Sequence, residues 1–161
     1  MIKNKIVTLA QLRDKVGSLK RSDKKIGFTN GCFDILHPGH IIYLEKAKDI
    51  CDILIVGINS DSSIKKIKGK NRPIMKEGAR LLIVAALESV DYVIKFSQKT
   101  PLNLIKSIEP DLLIKGGDWK EEDIVGSDYI KSIGGKVKII PYVKGYSTTS
   151  LIKSILRRGR H

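Results

Sequence analysis

Ile26-Gly27-Phe28-Thr29-Asn30-Gly31-Cys32-Phe33-Asp34-Ile35-Leu36-His37-Pro38-Gly39-His40 decides how the rest of this chain is read. It opens with an apolar segment of strand character and passes through a glycine-containing turn. It then runs into the amphipathic stretch Ile41 to Ile50, which predicts a helix. Strand, turn and helix follow one another without a spacer. His37 and His40 stand three positions apart around Pro38 and Gly39, and at a helix start residues i and i+3 share a face. Proline is at home in a first helical turn, where its missing N–H costs nothing. Glycine lets a backbone come close to a ligand. The expectation is two imidazoles beside the unpaired N–H groups of a helix N-terminus, an arrangement that favours phosphate through free donors and the helix dipole. A His-x-x-His pair alone would also fit two unrelated surface histidines. The preceding strand, Gly31 and Asp34 favour the phosphate reading.

Further along, the same alternation recurs. Thr8 can cap a first helix that carries Leu9, Leu12, Val16 and Leu19 at helical spacing. The run Ile53 to Ile58 is continuously apolar, as in a central parallel strand covered on both faces. A buried helix over Glu77 to Val90 and a short strand at Tyr92 to Ile94 come next. Thr100-Pro101 reads as the cap and first turn of another helix, with Leu102, Ile105 and Ile108 facing inward. Asp111 to Lys115 and Lys136 to Ile140 are the last strands, separated by helical material broken near Gly126. Ser147 opens a final helix.

Strands alternating with helices predict an α/β fold, a single-domain Rossmann-like parallel sheet with right-handed crossovers and helices on both faces. Ligands in such sheets sit beyond the carboxyl ends of the strands, where strand order reverses. Four segments fall there: Asn30 to His40, Asn59 to Arg72, Gly116 to Trp119, and Lys144 to Thr149. The expected organisation is an N-terminal helix and link over 1–24, one α/β domain over 25–156, and a frayed basic tail over 157–161.

A chain of 161 residues can bury one real core. The apolar run at Leu81 to Leu87 is far too short to span a bilayer, and Met1 to Lys5 holds no apolar stretch of signal-peptide length. These features predict a cytoplasmic protein without a membrane partner. Cys32 and Cys51 lack metal-ligand spacing and read as free thiols. The net charge is +13, densest in Lys65-Lys66-Ile67-Lys68-Gly69-Lys70-Asn71-Arg72. Such a run fits either a nucleic-acid patch or a loop for phosphorylated small molecules. Its place after the second strand favours the loop, and an aromatic fraction of 6% is poor for stacking single strands.

The motif Gly31-Cys32-Phe33-Asp34-x-x-His37-x-Gly39-His40 resembles the signature of the cytidylyltransferase-like nucleotidyltransferases. The resemblance implies that Asn30, Gly31, Cys32 and Phe33 border the nucleotide and that His37 and His40 contact its phosphates. It places Asp34 by the reacting groups and Lys68 at the reaction centre, with Lys66 competing for the lysine role because loop lengths differ among relatives. Gly116-Gly117-Asp118-Trp119 would lie by the base, and Ser147-Thr148-Thr149 by the triphosphate. Asp61, Arg72 and Arg80 are candidates for the phosphorylated acceptor; turn closure and ordinary surface arginines are the alternatives.

A finer pattern is similar to the D-glycero-D-manno-heptose 1-phosphate adenylyltransferase branch. It comprises Asn59-Ser60-Asp61, Lys68-Gly69-x-x-Arg72-Pro73, Leu87-Glu88-x-Val90-Asp91, Pro110 to Asp118, Ile124-Val125-Gly126 and Gly134-Gly135-x-Val137. That resemblance implies ATP with Mg²⁺, a sugar 1-phosphate acceptor, no nucleic acid, no resident metal, and a homodimer or higher homo-oligomer. Relatives often carry a heptose kinase ahead of this unit, so the chain corresponds to a free-standing form or an excised domain. Trp119 departs from the tyrosine usual in that branch and is commoner in glycerol-3-phosphate cytidylyltransferases. Those enzymes, however, carry Arg-Thr-Glu-Gly where this chain has Tyr142-Val143-Lys144-Gly145.

Overall fold

A computed structural model describes every residue except Tyr142, Arg160 and His161. Five strands form one parallel sheet in the order β3-β2-β1-β4-β5. They are β1 (Ile26–Gly31), β2 (Ile53–Asn59), β3 (Tyr92–Phe96), β4 (Leu112–Gly116) and β5 (Lys136–Ile140). All five strands stand within two residues of where periodicity predicts them. The order reverses between β1 and β4, which makes that junction the topological switch point.

The described residues form seven α-helices: α1 (Leu9–Arg21), α2 (Pro38–Lys48), α3 (Asp61–Lys68), α4 (Glu77–Ala85), α5 (Leu102–Ile108), α6 (Ser127–Ser132) and α7 (Thr148–Arg158). On one face Leu12 and Val16 of α1, Leu104, Ile105 and Ile108 of α5, and Ile130 of α6 pack against Ile26, Phe28, Ile55 and Leu113. On the other, Leu44 and Ala47 of α2 and Val84 and Ala85 of α4 pack against Leu54, Val56, Ile58 and Ile114. Neighbouring residues of β2 thus point into opposite cores, which is why its sequence shows no polar alternation. Thr8 caps α1 as predicted, in a reciprocal pairing with Gln11. Val7 and α1 belong to the first of these cores, so residues 1–24 pack into the same body as the sheet.

Three aspartates finish the lower edge of the sheet. Asp52 accepts the N–H of Lys25, Asp91 that of Leu54, and Asp111 that of Ile26. Asp91 and Asp111 belong to the branch-like pattern, and their work here is to satisfy strand ends far from the ligand edge.

Four expectations change. The basic run is not a loop: Asp61–Lys68 is helix α3, capped by Ser60, and the chain turns only at Gly69 with φ 93°. Helix α4 stops at Ala85 instead of reaching Val90. Pro101 is the N-cap of α5 rather than a first-turn residue, and Thr100 makes no capping bond. Arg157 and Arg158 lie in the last turn of α7, not in a frayed tail; Arg160 and His161 lie outside the described residues. No helix among the described residues is long and apolar enough to cross a membrane.

Candidate active site

The turn from β1 to α2 is held in an unusual shape. Phe33 and Ile35 adopt φ of 46° and 54°, a left-handed conformation costly for any residue with a Cβ and most so for a β-branched one. Such strain persists only where the surroundings enforce it. Gly31 leaves room for the ring of Phe33, whose edge lies 2.9 Å from where a Cβ at Gly31 would stand. The Phe33 side chain is 6% exposed and packs at 5.3 Å against the His40 ring. The Phe33 side chain thus supports the His40 ring.

His37 caps α2 in an extended conformation, and Pro38 starts the helix. The rings of His37 and His40 stack with centroids 3.8 Å apart and 23° between planes. Tyr146 continues the stack at 6.3 Å from His37, a residue that sequence reading missed. The only signal for it was its position directly before Ser147. The His37 N–H donates to His40 Nδ1 at 3.4 Å. Burial, then the nearness of His37 and Lys68, pushes the His40 pKa down to about 4, and burial lowers that of His37. A neutral His40 that accepts at Nδ1 carries its proton on Nε2, leaving that N–H as a donor. Both rings are neutral hydrogen-bond donors at physiological pH rather than imidazolium cations.

The field of Lys68 on His40 also bears on the lysine alternative. Lys68 stands close enough for its charge to act on the His40 ring. Both lysines are exposed on α3.

Asp34 is 1% exposed and accepts three bonds: from Arg72 Nε at 2.8 Å and from the backbone N–H groups of Ile74 and Met75, each at 2.9 Å. Burial alone would raise its pKa. The N–H groups of Met75 and Ile74 and the Arg72 guanidinium outweigh that and hold the carboxyl below its usual value. Asp34 thus fixes the 72–75 segment against the histidine turn.

Arg72 and Arg80, paired in the sequence reading, part company here. Arg80 is fully buried and donates to the carbonyls of Met75 and Cys32 and to Asp61 Oδ1. Arg80 is thus an internal brace, and Asp61 is its ion-pair partner. Arg72 keeps Nη2 buried without a partner. Three buried side-chain polar atoms among the described residues lack a hydrogen bond, and two of them, His37 Nδ1 and Arg72 Nη2, lie in this site. Unsatisfied buried polar atoms are costly unless a ligand meets them.

The other two loops reach the same edge of the sheet. Gly117 takes φ 119° and donates its N–H to Ile140, while Asp118 is exposed and Trp119 is 49% exposed. The Trp119 indole belongs to neither of the two cores. Ser147 caps α7 by accepting the Ser150 N–H, and Thr148 Oγ1 donates to the carbonyl of Asp34 at 2.8 Å. Thr149, the next residue, is exposed at this helix start. The structure therefore brings together the histidine turn, the end of α3, Arg72 and the start of α7.

The model of the family described as cytidylyltransferase-like matches residues 28–157. The chain belongs to the cytidylyltransferase-like family. It is 52% identical over 156 residues to the "Bifunctional protein HldE" of Helicobacter hepaticus, covering 97% of this chain and 31% of that protein. It is 48% identical over 153 residues to the protein of the same name from Geobacter metallireducens, with 95% and 31% covered. The chain thus spans about a third of the length of these relatives. Among solved structures it matches the lipopolysaccharide core biosynthesis protein of Thermoplasma volcanium. The TM-score there is 0.62 at 32% identity, over 77% of this chain and 99% of that one. A pantoate–β-alanine ligase from Francisella tularensis shares the fold alone, at TM-score 0.63 and 18% identity, over 91% of this chain and 74% of that one.

Proposed function

We propose that this chain is an adenylyltransferase that moves AMP from ATP to D-glycero-D-manno-heptose 1-phosphate. The products are ADP-heptose, for the lipopolysaccharide core, and pyrophosphate. A phosphate oxygen of the sugar attacks the α-phosphorus of ATP and forms a new P–O bond. The bond from that phosphorus to the β-bridging oxygen breaks, and pyrophosphate carries the electron pair away. No bond to the protein is needed. Catalysis comes from holding the two anions in line and from donors aimed at developing charge.

One observation carries this reading: neutral, stacked His37 and His40 at the N-terminus of α2, with an unpaired ring nitrogen on His37 and an unpaired guanidinium nitrogen on Arg72 nearby. Such a set matches a polyphosphate, which offers many acceptor oxygens and negative charge. His37, His40 and Lys68 serve the reacting phosphates, and Arg72 serves the acceptor phosphate. Backbone N–H groups of Thr148 and Thr149 serve the far end of the triphosphate. The Gly116 to Trp119 turn borders the base. Asp34, Asp61 and Arg80 position these groups without touching substrate. The identity of about 50% to the HldE proteins and the name of the Thermoplasma volcanium neighbour support the sugar and the pathway class.

Mg²⁺ enters with ATP as part of the substrate. Among the described residues no group of three His, Cys, Asp or Glu is placed to hold a metal. Both Asp34 oxygens already accept N–H donors. Mg²⁺ is well served by phosphate oxygens and water.

Pyrophosphate release should be measured with ATP, CTP, GTP and UTP, each against heptose 1-phosphate and glycerol 3-phosphate. Turnover only with ATP and the heptose phosphate supports the proposal. A preference for CTP and glycerol 3-phosphate would replace it with the cytidylyl reading that Trp119 suggests. Salt-dependent RNA binding without pyrophosphate release would assign the positive charge to nucleic acid instead.

A further inference from the structure

β1 and β4 meet at the switch point, yet their backbones pair only twice, Gly27 with Leu112 and Phe28 with Leu113. Both strands continue. β1 stays paired to β2 as far as Gly31 with Ile58, and β4 stays paired to β5 as far as Gly116 with Ile140. The sheet therefore opens between its two middle strands over their last residues. Two positions beyond the Phe28–Leu113 pair, the register brings Asn30 opposite Lys115. There side chains replace the ladder: Lys115 Nζ donates to Asn30 Oδ1 at 2.7 Å.

This lysine is costly for a structural tie. No ion pair among the described residues includes it. Burial pulls its pKa down to about 8, with only the neighbouring Cys32 acting the other way. An ammonium has three N–H donors, and Asn30 takes one. A largely enclosed cation without a carboxylate is destabilising unless something else accepts its remaining donors. Joining two strands needs no charge.

Side chains alternate across a strand. Asn30 and Lys115 therefore share the face of Phe28 and Leu113, on the side of α1, α5 and α6. His37 and His40 stand on α2, which covers the opposite face. A ligand lying in the opening is met from both sides. The phosphate side is already furnished with His37, His40, Lys68 and Arg72. Lys115 instead runs directly into the Gly116-Gly117 turn and exposed Trp119.

We propose that Lys115 is a nucleotide-binding residue whose ammonium, steadied by Asn30, donates to the nucleoside-monophosphate half of the triphosphate where β1 and β4 part. This rests on the nucleotidyltransferase reading above.

The test is equilibrium binding of ATP and of AMP by calorimetry to the wild-type chain and to Lys115→Met, with melting temperatures recorded for both. Loss of a hydrogen bond from a charged donor predicts about 10–100-fold weaker binding of both nucleotides, with no fall in melting temperature. Lys115→Gln, which keeps a donor for Asn30 but no charge, should show the same loss and serves if the methionine variant does not fold. A lower melting temperature with unchanged affinities would make Lys115 a strand tie and overturn the proposal. Weaker ATP binding with unchanged AMP binding would overturn the assignment to the monophosphate half. A wild-type chain that releases no pyrophosphate but binds ATP and AMP through Lys115 would sink the catalytic reading alone. One that binds neither would sink both.

Discussion

Arg72 Nε lies 2.8 Å from Asp34 Oδ2, and the same carboxylate holds the N–H groups of Ile74 and Met75. One aspartate of the histidine turn thus fixes a segment 38 to 41 positions away in the chain. Arg72 then reaches the site with Nε engaged and Nη2 unpaired. Asp34→Ala should release that segment and leave a largely buried guanidinium without its counter-charge. Removing one partner of a buried pair costs about 3–5 kcal/mol, read by denaturant unfolding, and the KM for the sugar phosphate should rise in the folded fraction. The pH dependence follows from a carboxyl held below its usual value. The stability it contributes is complete above the unfolded pKa of 3.8 and is lost as pH falls through the lower folded value. A stability curve for Asp34→Ala parallel to wild type below pH 4 would contradict this.

His40 gives a second pH signature. With its pKa near 4, the ring stays neutral through the range in which an ordinary histidine titrates, from 6.5 down. The free enzyme's kcat/KM should therefore show no acid limb at 6–7 from this residue. The folded state binds a proton less readily than the unfolded chain. Stability is thus full above 6.5 and declines as pH falls toward 4, and His40→Gln should flatten that decline. Lys68→Met removes one of the charges that depress His40, so the ring's titration, followed by NMR, should move upward. His40→Ala should cut kcat by about 10²–10³, the usual loss for one preorganised donor, roughly 2.7–4 kcal/mol.

The sequence reading recovered the sheet and the histidine turn because both are local. Apolar runs such as Ile53 to Ile58 announce a buried strand, and His-Pro-Gly-His announces a helix start. It misjudged α3 because Lys65, Lys66 and Lys68 face solvent, so that only Ile64 is a fully buried apolar residue on a short helix. Arg80 looked like Arg72 in one dimension. Its partners, Cys32 and Asp61, stand 48 and 19 positions away, and nothing local tells a buried brace from a ligand donor. The Asn30–Lys115 bond was equally hidden, since it depends on where two strands stop pairing.

The two arginines should separate cleanly by experiment. Arg80→Met leaves Asp61 without its partner and strands the carbonyls of Cys32 and Met75 in the interior. We expect a stability loss of about 3 kcal/mol or more, with little change in the KM of the molecules that remain folded. Arg72→Met should instead act on the KM of the phosphorylated acceptor. Similar kinetic defects in both, at similar stability, would return Arg80 to the substrate.

Gly39 offers the sharpest separation of activity from stability. A Cβ there would stand 3.1 Å from His37 Cε1 and Nδ1 and 3.1 Å from the Tyr146 Cβ. Those contacts are tighter than ordinary packing, so His37 would have to shift off the His40 ring. Alanine is also a better helix former than glycine by up to about 1 kcal/mol, which offsets part of the crowding. Gly39→Ala should therefore melt close to the wild-type temperature. Its kcat should nevertheless fall at least tenfold, because a displacement of about 1 Å in a positioned catalytic group can cost 10²-fold. Full turnover in Gly39→Ala, with the fold intact, would mean that the stacked arrangement of the two imidazoles is not what the reaction uses.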